Sequence, residues 1–205
     1  HPTGALFVLF SAFVFIPNYP YEVMFFFSGL SVFFICLTAR ENGDAAFTCC
    51  LPVGRKEAVL ARMSMWALLQ AAMWTAAGIF TAIKELVLAP EAQLNMAGST
   101  ANLAFLGYCA LLAGVFNLIF FPLYYRDLQK VGIPFVLAGA AQFLLIALLT
   151  AFRFTVPLFR DVLNLPDPAN MGAKACAFAV CVLFYAGVAA LSVHISQKRF
   201  PRVDL

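Results

Sequence analysis

The chain alternates between long apolar segments and short polar connections. Five apolar segments are about 20 residues long and a sixth is shorter; their approximate bounds are 4–16, 22–39, 58–83, 102–125, 133–152 and 173–196. An α-helix needs about 20 apolar residues to cross the hydrocarbon core of a bilayer. The pattern therefore predicts an all-α integral membrane protein with six transmembrane helices, organised as a single transmembrane domain over residues 1–205.

The first apolar segment, 4–16, is the exception in length. It has 13 residues, and about 20 are needed for a helix that crosses alone. The chain begins with His1 rather than with methionine. We expect residues upstream of this sequence to complete the first helix; a buried half-span is the alternative.

Composition supports the membrane assignment and narrows the partners. The chain is 63% hydrophobic and 11% charged, whereas soluble domains carry about 25% charged residues. Its net charge of +3 gives no indication of a nucleic-acid partner. The expected surroundings are a lipid bilayer.

The basic residues indicate an orientation, because cytoplasmic loops carry an excess of Lys and Arg. Nine lie in the loop 40–62, in the turn after the fourth segment and in the tail: Arg40, Arg55, Lys56, Arg62, Arg126, Lys130, Lys198, Arg199 and Arg202. The opposite ends of the segments carry four: Lys84, Arg153, Arg160 and Lys174. This distribution predicts that both termini are cytoplasmic.

The polar loop 40–62 carries local folding signals. Asp44 is suited to cap a short helix over 45–51, because its carboxylate can accept from free N–H groups of the first turn. Pro52 disfavours helix at the residue before it, and the next helix is expected from about Arg55. The short helix could dock a partner, or the loop could be a solvated hairpin that only joins two spans.

Residues 51–62, with the sequence LPVGRKEAVLAR, resemble a signature of small type-2, exporter-class permeases of ABC (ATP-binding-cassette) transporters. The preceding Glu41-Asn42 is similar to an acidic-Asn pair of that family, and 121–132 resembles the end of its fourth span. Gly54 stands where the family usually has Ser, and Arg62 where it usually has Lys. The glycine is the weaker helix cap.

This resemblance implies the permease subunit of an ATP-driven exporter, in the bacterial cytoplasmic membrane, without a catalytic site of its own. It implies a second permease copy or a paralogue, and two ATPase subunits that hold ATP and Mg²⁺, while this chain binds no cofactor. The loop would supply the coupling helix that contacts the ATPase. The residues predicted to couple are Glu41, Asp44, Phe47, Cys50, Leu51, Pro52, Arg55 and Lys56.

Within this loop the residues have different expected roles. Phe47, Cys50 and Leu51 would make the apolar contacts, because a docking helix needs a buried apolar centre more than charge. Pro52 would set the angle to the third span. The basic residues would face an acidic rim of the partner or lipid phosphates, and Glu41 would pair with one of its basic neighbours.

A search for chemistry finds no other strong motif. The phosphate-binding pattern G-x-x-x-x-G-K-[ST] is absent, and no charged residue lies near the middle of a span, which counts against proton-coupled transport. The mid-span polar residues Gln70, Asn117 and Gln142 could line a pathway or could hydrogen-bond between helices. The six cysteines are interpreted as packing residues.

Two points stay open at this stage. Residues 153–165 could form a helix lying on or re-entering the leaflet, with Phe154, Leu158, Phe159, Val162 and Leu163 on its apolar face, or an irregular packed loop.

The alternative functions are a non-transport membrane partner or assembly protein, and an ATP-independent carrier or channel. The aromatic-rich, uncharged spans suit a hydrophobic or amphipathic substrate such as a peptide, lipid or drug-like molecule.

Overall fold

The computed structural model describes residues 6–16, 19–87, 95 and 97–200. Among these residues, six α-helices have described bounds: α1 Phe26–Glu41, α2 Asp44–Cys50, α3 Arg55–Val87, α4 Leu103–Tyr124, α5 Gly132–Thr155 and α6 Met171–Arg199. Two 3₁₀ segments, Phe7–Phe15 and Tyr21–Phe25, precede α1, and a π-helical segment, Leu158–Leu163, follows α5. The described part of the chain contains no β-strand.

Within the part of the chain that the structure describes, five helical stretches are long and apolar enough to cross a membrane: Tyr21–Glu41, Arg55–Val87, Leu103–Tyr124, Gly132–Thr155 and Met171–Arg199. They correspond to the second to sixth predicted spans, and each end lies within about four residues of its prediction. The agreement follows from the length of the apolar runs, because a crossing helix must satisfy its backbone hydrogen bonds internally. The chain is an all-helical integral membrane protein.

The predicted first span differs from the other five. Over Phe7–Phe15 it forms a nine-residue 3₁₀ segment, which is too short to cross a bilayer. The segment packs along α3, where the Ser11 hydroxyl donates to the Met73 carbonyl at 3.0 Å, and Val14 is fully buried. Residues 1–5 lie outside the described part, so the sixth crossing remains a prediction.

The central element of the fold is α4. In the most apolar 18-residue stretch of α4, 67% of the residues are buried inside the protein, whereas the corresponding stretch of α6 has 11% of its residues buried. Helices α4 and α6 approach closely at Gly107, where an added Cβ would lie 3.0 Å from Phe178 Cα. Small residues at such crossings let the backbones come together in a membrane. The outer faces of α3 and α6 are left for lipid or for a partner.

The bundle has two ends, which we call the short-helix end, where α2 lies, and the loop end, where α3 ends and α4 begins. The connections at the loop end, 84–100 and 153–172, are polar in sequence, which favours exposed loops, but several of their described residues are buried. Lys84, Ser99 and Arg153 are all buried. They are tolerated there because each finds a polar partner inside the fold.

The main ion pair at the loop end joins Glu22 and Arg153. Their side chains are 1% and 3% exposed, and the Ser99 hydroxyl donates to the Glu22 carboxylate at 3.2 Å. Nearby, the Lys84 ammonium donates to the Val14 carbonyl at 3.0 Å and to the Tyr21 hydroxyl. These contacts tie the start of the first full span to the ends of α3 and α5.

A second polar cluster holds the connection between α5 and α6. Lys174 is fully buried and donates to the Leu165 carbonyl at 2.6 Å and to the Asp167 carboxylate at 2.7 Å. Asn102 caps α4 by accepting from Phe105 N–H at 2.9 Å, and it also donates to the Leu165 carbonyl. The connection is therefore folded onto the bundle.

The open question about 153–165 is answered in part. Residues Leu158–Leu163 are π-helical, and Leu163 and Phe159 pack against Ala104 and Tyr108. Phe154 and Leu158 remain exposed. The predicted apolar face is thus divided between a packed side and an exposed side.

Candidate functional site: the short-helix loop and the mid-span amides

The short helix α2 forms where it was predicted, one residue earlier than 45–51. The predicted cap is wrong: Gly43, in the left-handed conformation at φ 65°, is the N-cap, and no side chain caps this helix. Gly43 occupies this conformation without strain because it lacks a Cβ. Asp44 is instead the first helical residue, where its charge interacts favourably with the helix dipole.

The turn from α2 into α3 follows its predicted course. Leu51 ends α2 with an extended backbone, φ −80° and ψ 152°, as expected of a residue before proline. Gly54 N–H donates to the Glu57 carboxylate at 3.3 Å, and α3 begins at Arg55. Glu57 thus supplies one half of a capping box.

Large apolar side chains at this end point away from the protein. Phe47 is 67% exposed, Leu51 43% and Val53 44%, and Cys50 is also exposed. The opposite side of α2 is packed, because Ala45 and Cys49 lie against the main core. One side of α2 therefore packs on the protein, and its apolar outer side lacks a cover within the described chain.

The charges around α2 are mostly exposed. Glu41 lies 4.0 Å from its neighbour Arg40, and Asp44 lies 3.9 Å from Arg62, so the predicted pairing of Glu41 is a loose, solvent-facing contact worth little. Arg55 and Lys56 are exposed at the start of α3.

Two hydrogen bonds tie this end to the rest of the bundle. Arg40 Nη1 donates to the Gln129 carbonyl at 3.2 Å, and Gln197 Nε2 donates to the Lys56 carbonyl at 3.1 Å. Between them, Asp127 pairs with Lys130 at 2.9 Å, and this hydrogen bond lowers the pKa of Asp127. The loop is therefore connected to the turn after α4 and to the end of α6.

Two of the three predicted mid-span polar residues come together. The Gln70 and Asn117 amides form two reciprocal hydrogen bonds, each of 2.9 Å, between α3 and α4. Tyr185 of α6, which sequence reasoning missed, donates to Gln70 Oε1 at 3.0 Å. Gln142 lies apart and donates to the Leu112 carbonyl at 3.2 Å.

An apolar cavity of about 580 Å³ lies beside this amide pair, between α3, α4 and α6. Its walls include Ala67, Leu68, Ala71, Trp74 and Ala113. The volume falls within the range of small-molecule sites, about 300–1,000 Å³. The small side chains on α3 and α4 create this space.

The amide pair permits a test between a pathway role and a packing role. Asn117→Leu should leave the Gln70 amide buried with one partner fewer and lower the unfolding free energy by about 1 kcal/mol. The double variant Gln70→Leu/Asn117→Leu should recover part of this loss, because both amides are then replaced by apolar side chains and only the partly buried Tyr185 hydroxyl loses its acceptor. Thermal unfolding in detergent measures the stability of each variant. A transport assay in vesicles measures its activity. A transport defect that persists in a double variant of wild-type stability would contradict a packing role.

Comparison with known proteins identifies a family for the chain. A family model described as ABC-2 family transporter protein matches residues 4–200. No curated protein sequence and no solved structure matches the chain. ABC-2 permeases are generally non-catalytic membrane subunits that work with ABC ATPase subunits. Because the match spans nearly the whole sequence, the chain belongs to the ABC-2 transporter family.

Proposed function

We propose that this chain is the permease subunit of an ATP-driven exporter, coupled through α2 to two separate ATPase subunits. The observation that carries the proposal is the exposure of Phe47 on the short helix between two spans and of Leu51 directly after it. Large apolar side chains that stay in water mark an interaction site. ATP and Mg²⁺ would bind in the ATPase subunits and not in this chain.

The coupling mechanism follows from how α2 is held. Its inner side packs on the core through Ala45 and Cys49, and Pro52 makes the corner into α3. A push on α2 by a closing ATPase is therefore transmitted to the start of the 33-residue helix α3. Movement of α3 relative to α4 and α6 would switch the access of the pathway. Glu41, Asp44, Arg55 and Lys56 would meet the charged rim of the partner.

We further propose that the chain forms a single transmembrane domain over residues 1–205, with six crossings, and that a second permease copy or paralogue completes the pathway. The 580 Å³ apolar cavity supports a hydrophobic or amphipathic substrate, because its walls offer few polar contacts. The expected location is the bacterial cytoplasmic membrane, with both termini in the cytoplasm.

The composition of the complex tests the proposal. Tagged chain purified from native membranes in mild detergent should carry two nucleotide-binding subunits and two permeases, and the complex should hydrolyse ATP. Mass photometry and peptide identification measure the composition. An ATP-hydrolysing complex with one permease, or one that transports without a nucleotide-binding subunit, would contradict it.

The orientation has its own test. The short-helix end carries most of the basic residues and should be cytoplasmic. In a background with Cys50 and Cys176 changed to Ser, a cysteine at Arg160 should be labelled from outside the cell by an impermeant maleimide. A cysteine at Lys130 should be labelled only after lysis. Labelling of Lys130→Cys in intact cells would reverse the assignment.

A further inference from the structure

A second cavity, of about 390 Å³, lies directly behind α2. Helices α1, α2 and α3 form its walls, with Tyr125 and Phe200 closing it. Most of the lining is apolar, including Ile35, Val59 and Met65. A cavity of this size with a few polar groups in an apolar wall has the composition of a ligand site.

Two polar groups in this wall lack adequate partners. Arg62 has a side chain that is 21% exposed, and its polar contact within the described chain is Asp44 at 3.9 Å, which is beyond hydrogen-bonding distance. A guanidinium has five N–H donors, so most of them lack a protein acceptor. Tyr125 is 2% exposed, and its hydroxyl has no hydrogen-bond partner among the described residues.

The depth of Arg62 identifies the region of the membrane. Helix α3 has 33 residues, which rise about 50 Å at 1.5 Å per residue. The hydrocarbon core is about 30 Å thick, so α3 extends beyond it. Arg62 is the eighth residue of α3, about 10 Å from its start. It therefore lies near the boundary between headgroups and acyl chains.

We propose that this cavity binds the phosphate of an anionic phospholipid from the leaflet on the short-helix side. The phosphate would accept from the unpaired N–H groups of Arg62, since guanidinium and phosphate match in charge and geometry, and from the Tyr125 hydroxyl. An acyl chain would follow the apolar wall formed by Ile35, Val59 and Met65. Asp44, which is half exposed and lies 3.9 Å from Arg62, also lines the cavity.

An anionic headgroup fits better than a zwitterionic one because of the surrounding charge. Arg40, Arg55, Lys56 and Arg126 are exposed at this end of the bundle, and basic residues near a membrane surface attract anionic lipid. Since Ala45 and Thr48 of α2 form part of the wall, the bound lipid would support α2 from behind. The cavity wall includes Val53, but Phe47 and Leu51, whose exposure supports the proposed function, do not line it.

Native mass spectrometry of the purified protein tests the site, with phosphatidylglycerol and phosphatidylcholine as probes. Phosphatidylglycerol should bind at least about fivefold more tightly, as expected for about one strong contact between a basic residue and anionic lipid. Arg62→Gln should lose this preference, and Tyr125→Phe should lose part of it. The control Arg160→Gln removes an exposed arginine at the loop end, away from this cavity, and should retain it.

Two further measurements separate the lipid from other sources. Met65→Trp, at a partly exposed wall position, should fill the cavity and lower binding of phosphatidylglycerol while the elution volume stays that of the folded protein. Inorganic phosphate at millimolar concentration should not displace the lipid. Unchanged lipid preference in Arg62→Gln, equal binding of the two lipids, or displacement by inorganic phosphate would overturn the proposal. Loss of ATPase capture instead of lipid in Arg62→Gln would also overturn it, in favour of a protein contact.

Discussion

Replacing Phe47 by Asp is expected to abolish capture of the ATPase subunit while the helices still insert in the membrane. The Phe47 ring is 67% exposed in the isolated chain, so its loss should change the unfolding free energy by less than about 0.5 kcal/mol. In the complex the ring would be buried, and burial of a Phe side chain contributes about 1.5–3 kcal/mol. A carboxylate in its place adds a desolvation cost. The combined effect is at least a hundredfold loss of affinity.

Pull-down of the ATPase and substrate-stimulated ATP hydrolysis measure this effect. Leu51→Asp should behave similarly, since Leu51 is also exposed, at 43%. Asn42→Asp is the matched control, because it adds the same charge to the same exposed loop and removes no apolar side chain. If Phe47→Asp and Leu51→Asp retain full binding and coupling, the loop is only a connector.

Replacing Arg153 by Met is expected to cause the largest loss of stability among single changes at the loop end. The variant leaves the Glu22 carboxylate buried, at 1% exposure, without its ion-pair partner. Breaking one side of a buried pair costs about 3–5 kcal/mol. The double variant Glu22→Gln/Arg153→Met should recover more than half of this loss, because it removes both charges of the pair.

Thermal unfolding in detergent, followed by the fluorescence of Trp66 and Trp74, measures the two variants. Arg160→Met is the control, because it removes an arginine that pairs with Asp161 on the surface at 56% exposure and should leave the midpoint unchanged. Two results would show that the pair does not hold the loop end together. One is an unfolding midpoint of Arg153→Met equal to that of Arg160→Met. The other is a double variant that is no more stable than Arg153→Met.

The spans and the short helix could be predicted because their determinants are local. The five crossings follow from apolar runs of membrane length, and each observed helix ends near the last apolar residue of its run. The corner at Leu51 follows from the steric demand of Pro52, and the start of α3 after Gly54 follows from the same turn. The exposure of Phe47 and Leu51 was also expected, because the loop has too few apolar residues to bury them.

Cap choice shows where local reasoning was insufficient. Asp44 and Gly43 are adjacent, and both are residues that begin helices. The backbone places Gly43 at the N-cap with φ 65°, a conformation that only glycine adopts at no cost. Asp44 then moves one position into the helix. Two adjacent cap residues cannot be told apart by residue type, so the backbone conformation observed at Gly43 decided between them.

By itself, the sequence determined the helical class, the crossing segments and the position of the short helix, because apolar run length and proline act on neighbouring residues. The tertiary structure alone decided the long-range polar pairs. Glu22 and Arg153 are 131 positions apart, and Gln70 and Asn117 are 47 apart. Whether such residues pair depends on which helix faces meet, and every span here is apolar nearly all round. Sequence periodicity therefore carries little information about the faces, and close packing of α4 with its neighbours selects them.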